Sequence, residues 1–185
     1  VYQDDPALDG PIDIVFNNMH VYTAGQDSEL ILDVQLGTGT VGGVFDPMLQ
    51  SPLDLDLGHS GELWVVTDNL EIPVQAWDVA SQTMIASIPG DYDDWTKAVC
   101  VLPDGDIAVL DDGNWEIRRH DESNYAQIGL LLNPNDAGVL SLGIYKSMHV
   151  GPNDLLYVTH SKGLLSIDPD TRAFADVFRV GGNQM

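Results

Sequence analysis

Lys97 and Lys146 are two of only three lysines in a chain whose formal net charge is −22. They stand 49 residues apart in matching contexts, each opening an apolar stretch that runs into a proline-containing turn. Two ammonium groups at equivalent positions would make a local anion site for a carboxylate, sulfate or phosphate. Alternatively, each pairs with an aspartate such as Asp54 or Asp56 and relieves repulsion. A second set, Asp68, Asp111, Asp112 and His160, recurs at the end of one strand of each repeat. With Asn69 and Asn114 these residues offer oxygens to Ca²⁺, which takes six to eight. The competing reading is that each carboxylate accepts backbone N–H bonds from the following turn. The densest acidic loop is Gly90-Asp91-Tyr92-Asp93-Asp94-Trp95. Its Asp-x-Asp alternation matches part of a calcium loop but lacks the central Gly and distal Glu. Trp95 and Trp115, each beside acids, could grip a sugar ring, with the apolar face on indole and the hydroxyls on carboxylate. The ligand-binding candidates are therefore Lys97, Lys146, Trp95 and Trp115. The metal candidates are Asp91, Asp93, Asp111 and Asp112, with Ca²⁺ as the expected ion.

Other chemistries lack their signatures. His20, His59, His120, His149 and His160 form no His-x-x-x-His pair, and Cys100 is the single cysteine, so spacing signals no zinc site and no internal disulfide. Cys100 lies in the apolar run Ala98 to Leu102, where a buried, inert thiol is expected. No Gly-x-Ser-x-Gly elbow occurs, and Gly37-Thr38-Gly39 is followed by no helix pattern, so it does not read as a phosphate loop.

The chain has 185 residues, 44% of them hydrophobic, enough for one sizeable core. No apolar run approaches the length of a membrane span. Seven basic residues stand against 29 acidic ones, mostly Asp. That field repels nucleic acid and anionic lipid. It suits a salty or calcium-rich exterior, where cations screen it, and Asp also fills turns well. The chain opens at Val1 without an initiator Met or a leader pattern, which reads as a removed targeting segment or a piece of something longer.

The elements that must position these residues are repeated. Lys97-Ala98-Val99-Cys100-Val101-Leu102-Pro103-Asp104-Gly105 through Asp111 aligns with Lys146 through Pro152 to His160 at a constant offset of 49. Leu53 through Gly61 to Asp68 is a third copy, 44 residues earlier at its glycine, and Ile12 to Ala24 is a first. Each copy reads as short strands rich in β-branched and aromatic residues, separated by polar turns, with a third strand ending in Asp78, Asp121 or Asp168. No sustained helical period occurs. Four strands in 43 to 49 residues is the size of a β-propeller blade. The expected fold class is all-β, a β-propeller of about four blades of four antiparallel strands, either closed or part of a larger ring. Blade limits are approximately 11–47, 52–94, 96–140 and 146–182, and Lys97 and Lys146 open the innermost strands of the last two.

Pro103-Asp104-Gly105 leading to Ala108-Val109-Leu110-Asp111 with Asn114, and Pro152-Asn153-Asp154-Leu155-Leu156-Tyr157-Val158-Thr159, resemble NHL-type repeats. The resemblance covers roughly residues 52–180, with His160 replacing an Asp, and implies the six-bladed propeller superfamily, which includes binding proteins and metal-dependent lactonases. The leading expectation is an extracellular or periplasmic binding or scaffold module whose partner is a protein or glycan. A divalent-metal hydrolase or lactonase, using acids such as Asp13, Asn17, Asp54 and Asp56, is an alternative, although its Glu-Gly-Pro motif is missing. A structural subunit, completed by further blades or subunits, is another.

Overall fold

Alternating apolar and polar residues broken by Asp-, Asn- and Gly-rich turns give sixteen β-strands among the described residues. The computed structural model describes residues 9–45, 50–88, 96–133, 135 and 145–179. The strands are β1 (Pro11–Asn17), β2 (His20–Gly25), β3 (Leu30–Gln35), β4 (Val41–Val44), β5 (Pro52–Leu57), β6 (Leu63–Thr67), β7 (Val74–Asp78), β8 (Thr83–Ile88), β9 (Thr96–Val101), β10 (Ile107–Asp111), β11 (Glu116–His120), β12 (Gln127–Leu132), β13 (Tyr145–Val150), β14 (Leu156–His160), β15 (Gly163–Ile167) and β16 (Phe174–Arg179). They form four antiparallel four-stranded sheets in chain order: β1–β4, β5–β8, β9–β12 and β13–β16. Each sheet is an up-and-down meander of blade dimensions, so the fold class is all-β, of β-propeller blades. No helix among the described residues is long and apolar enough to cross a membrane.

The chain divides into two compact units, Val1–Asp94 and Trp95–Met185. Within the first, β1 lies against β5. Facing side chains of the two blades close on Tyr22, Ile31, Phe45, Leu55, Leu63 and Trp77. Phe45 meets the Tyr22 and Trp77 rings edge-on, each at 6.1 Å between centroids. Asp13, one of the inner-strand acids, does structural work here: its Oδ2 accepts the Leu55 N–H at 2.7 Å and stitches β1 to β5. Within the second unit, β9 lies against β13. Leu110, Ile117, Leu132, Met148, Leu156 and Leu165 lie in its core, and Cys100 is 1% exposed among them. Arg119 ties the two blades of this unit together. It donates through Nε to Asp106 at 2.6 Å, through Nη2 to Asp104, and through Nη1 to the Pro169 carbonyl at 2.9 Å.

The aspartate that ends the third strand of a blade builds its hairpin. Asp78 accepts the Ser81 N–H and hydroxyl, both at 2.7 Å; Asp121 accepts the N–H of Ser123 and of Asn124; Asp168 accepts those of Asp170 and Thr171. Four residues after each aspartate the backbone turns left-handed, at Gln82, Tyr125 and Arg172, and that N–H donates back to the aspartate carbonyl at 2.8 to 2.9 Å. Hydrogen bonds to the ionised form hold all three carboxyls below the usual carboxylate range, Ser81, Ser123 and Thr171 being the main donors. Part of the Asp excess is thereby assigned to turns.

Candidate functional site at the bulged end of the first strands

The first strand of every blade is interrupted at the same place. Between its first two residue pairs with the second strand one residue is left over: Ile12 in β1, Leu53 in β5, Lys97 in β9 and Lys146 in β13. Such a bulge bends the strand, raises its twist and re-aims the extra side chain. Because Ile12 and Leu53 fill the position as well as lysine does, the bulge itself does not demand a positive charge. Lys97 is half-buried and Lys146 exposed. β9 packs against β13, so the two bulges lie on neighbouring strands.

The second strand ends opposite the residue that precedes the bulge, where Asp111 pairs with Thr96 and His160 with Tyr145. In the second blade this position is Thr67, and Asp68 lies one residue beyond β6. Asp111 is fully buried. Its Oδ1 accepts the Asn114 N–H at 3.1 Å, and its Oδ2 accepts Asn114 Nδ2 at 2.9 Å and Arg118 Nη2 at 3.2 Å. Arg118 Nε in turn donates to Glu116 Oε1 at 2.5 Å. Both oxygens of Asp111 thus accept hydrogen bonds, one of them from a guanidinium. Asp112 is buried beside it. Among the described residues no three His, Cys, Asp or Glu side chains are grouped as a metal ion would need. Thr96, 5% exposed, leaves its Oγ1 without a hydrogen-bond partner among the described residues.

Trp115 closes the turn from β10 to β11 with a left-handed backbone, φ 59°. Glu29 holds the same place in the turn from β2 to β3 at φ 57°, so the turn sets the conformation and does not require an indole. Trp115 packs partly on the core of its unit and keeps a half-buried ring. The structure therefore brings Lys97, Lys146, Asp111, Asp112 and Trp115 onto the first three strands and connecting turns of two adjacent blades. Trp95, Asp91 and Asp93 lie outside the described residues. Sequence reasoning missed Arg118 and Glu116, whose i, i+2 spacing on β11 was the available signal that both face the end of β10.

His120 is buried in the same unit and its Nδ1 lies 3.0 Å from the Tyr125 carbonyl oxygen. Burial pushes its pKa down; the Tyr125 bond opposes this and Arg118 reinforces it. The folded chain therefore holds a neutral imidazole at pH values where the unfolded chain binds a proton. Stability is present above the ordinary value of 6.5 and falls as pH drops below it. The expected result is a melting temperature that declines below that pH more steeply in the wild type than in His120→Gln. Parallel curves would show that His120 does not contribute.

No protein-family model matches the sequence, and no curated protein matches it. Solved structures do. Virginiamycin B lyase from Staphylococcus aureus superposes with a TM-score of 0.70 at 15% identity, over 93% of this chain and 56% of its own. Kuenenia stuttgartiensis hydrazine synthase gives 0.72 at 18% identity, over 95% and 50%. An auxiliary nutrient binding protein from Bacteroides ovatus gives 0.71 at 16% identity, over 95% and 43%. The chain thus spans about half the length of these proteins. At these identities the likeness establishes the blade fold and does not extend to an NHL-type repeat or a six-bladed ring. The chain is an all-β protein whose four four-stranded sheets are blades of the β-propeller fold.

Proposed function

We propose that this chain is a binding module that takes an acidic group of a protein or glycan ligand at the bulged ends of β9 and β13. The observation that carries this reading is the substitution pattern at the bulge. The same backbone position accepts Ile12 and Leu53 in the first and second blades, yet carries Lys97 and Lys146 in the third and fourth. Lysine there is not a folding requirement, and in a chain this acidic a paired positive position serves to attract an anion. Asp111 is itself engaged by Arg118. Trp115 adds an apolar surface for a sugar ring or an aliphatic stem. An extracellular or periplasmic setting fits the Asp-rich surface, which external salt would screen, and one solved neighbour is a nutrient binding protein.

The test is a binding screen of immobilised sulfated, carboxylated and neutral glycans and acidic peptides. Wild type is compared with Lys97→Ala/Lys146→Ala and with Lys97→Arg/Lys146→Arg, in EDTA and in millimolar Ca²⁺. Retention of acidic ligands by wild type and the Arg pair, and their loss from the Ala pair, supports the reading. Equal retention of neutral ligands by all three overturns it. A dependence on Ca²⁺ would instead assign recognition to Asp91 and Asp93.

A further inference from the structure

A cleft of about 240 Å³ opens within the second unit, between the outer strand of the third blade and the β15–β16 hairpin of the fourth. Ile128, Gly129 and Leu130 of β12 line it together with Asp170 and Arg172 of the hairpin. Arg119 spans the two blades beside them through its bond to the Pro169 carbonyl. The volume is that of roughly eight water molecules, so an occupant is small. Gly129 keeps the cleft open. It lies inside β12 opposite Arg119, among Gln, Ile and Leu. Its backbone is not left-handed, and a Cβ built on it would meet no atom within 4 Å. Neither conformation nor crowding asks for glycine there, and glycine weakens a strand interior. Cross-strand partners share a face, so a side chain at 129 would stand beside Arg119 and enter the cleft.

The charges of the cleft choose the ligand. The Arg119 guanidinium is committed to Asp104, Asp106 and the Pro169 carbonyl. The side chains of Asp170 and Arg172 pair neither with each other nor with another described residue. The hairpin does not demand them, since the equivalent turns carry Ala80 and Ser123 in place of Asp170, and Gln82 and Tyr125 in place of Arg172. An anion alone would face Asp170, and a cation alone would face Arg172. A ligand with both a carboxylate and an ammonium group satisfies the two, and the planar guanidinium suits the carboxylate. Ile128, 54% exposed, and Leu130 offer apolar surface to an aliphatic stem. We infer that this cleft binds a small zwitterion, an α-amino acid with an aliphatic side chain. Its carboxylate meets Arg172, its ammonium group Asp170, and its body fills the space above Gly129. The inference is independent of the lysine site, which uses none of these residues.

Calorimetric titration of L-leucine, L-leucinamide and N-acetyl-L-leucine into the 185-residue chain tests this, with the Gly129 amide resonance followed to locate binding. Wild type is expected to bind leucine, to shift that resonance, and to bind each singly charged analogue at least about tenfold more weakly. Asp170→Asn should erase the preference for leucine over N-acetyl-leucine, and Arg172→Gln the preference over leucinamide. Gly129→Val should keep the circular dichroism, hold or raise the melting temperature, and abolish binding. Absence of leucine binding up to its solubility overturns the inference. So do equal affinities for the three ligands, or a folded Gly129→Val variant that binds leucine like wild type.

Discussion

Asp111→Ala is expected to destabilise the protein by about 3–5 kcal/mol, the range for removing one partner of a buried ion pair. For a chain of this size that corresponds to a fall in melting temperature of about 6–20 °C. Asp111 is fully buried, and the substitution removes the acceptor shared by three donors: the Asn114 N–H, the Asn114 amide and Arg118. The guanidinium is the costly one, because a positive charge would lose its fully buried carboxylate partner, although Glu116 stays beside it. Asp111→Asn keeps acceptors for the turn and should lose less. Asp111→Leu combined with Arg118→Met removes both charges and should recover much of the loss, since buried pairs replaced by well-packed apolar residues are often neutral. The double-mutant cycle by thermal or urea unfolding measures the coupling directly. A fall of under about 1 kcal/mol in Asp111→Ala would place this pair among the weak surface interactions.

Phe45→Ala is expected to cost a similar amount, about 3–5 kcal/mol, by a different mechanism. Phe45 follows β4, and its N–H donates to the Ile31 carbonyl at 3.0 Å, which fixes the ring over the facing blade. The ring is fully buried between Tyr22 and Trp77, so truncation removes two edge-on contacts as well as transfer energy and leaves a cavity between two sheets. Phe45→Leu, which refills most of the volume, should lose far less. Tryptophan emission of Trp64 and Trp77 would report the same loss of packing. An Ala variant that melts with the wild type would mean that the two blades of the first unit do not depend on this contact.

Much of the blade architecture was legible from spacing. The offset of 49 between Lys97 and Lys146 survives as the equivalence of β9 and β13, because a repeated sequence pattern imposes a repeated meander. The aspartates at 78, 121 and 168 were visible as strand ends, and the structure adds the hydrogen bonds that make them turn-builders. The bulge was not legible. It is a property of register, and the residue it leaves over is Ile, Leu or Lys, types with no shared signature. Nor was Arg118 legible as the partner of Asp111. An acid followed by Asp112 and Asn114 offers the oxygens of a calcium loop, and only the return of the chain along β11 brings the guanidinium to it.

The central claim, that the bulge lysines bind an anion, is tested most directly by calorimetric titration of a sulfated oligosaccharide into wild type and Lys97→Ala/Lys146→Ala at two salt concentrations. The account predicts that wild-type binding weakens as salt rises. It also predicts that the double variant binds at least about tenfold more weakly, roughly 1.4 kcal/mol, with its salt dependence largely gone. Equal affinity in the two proteins at both salt concentrations would contradict it.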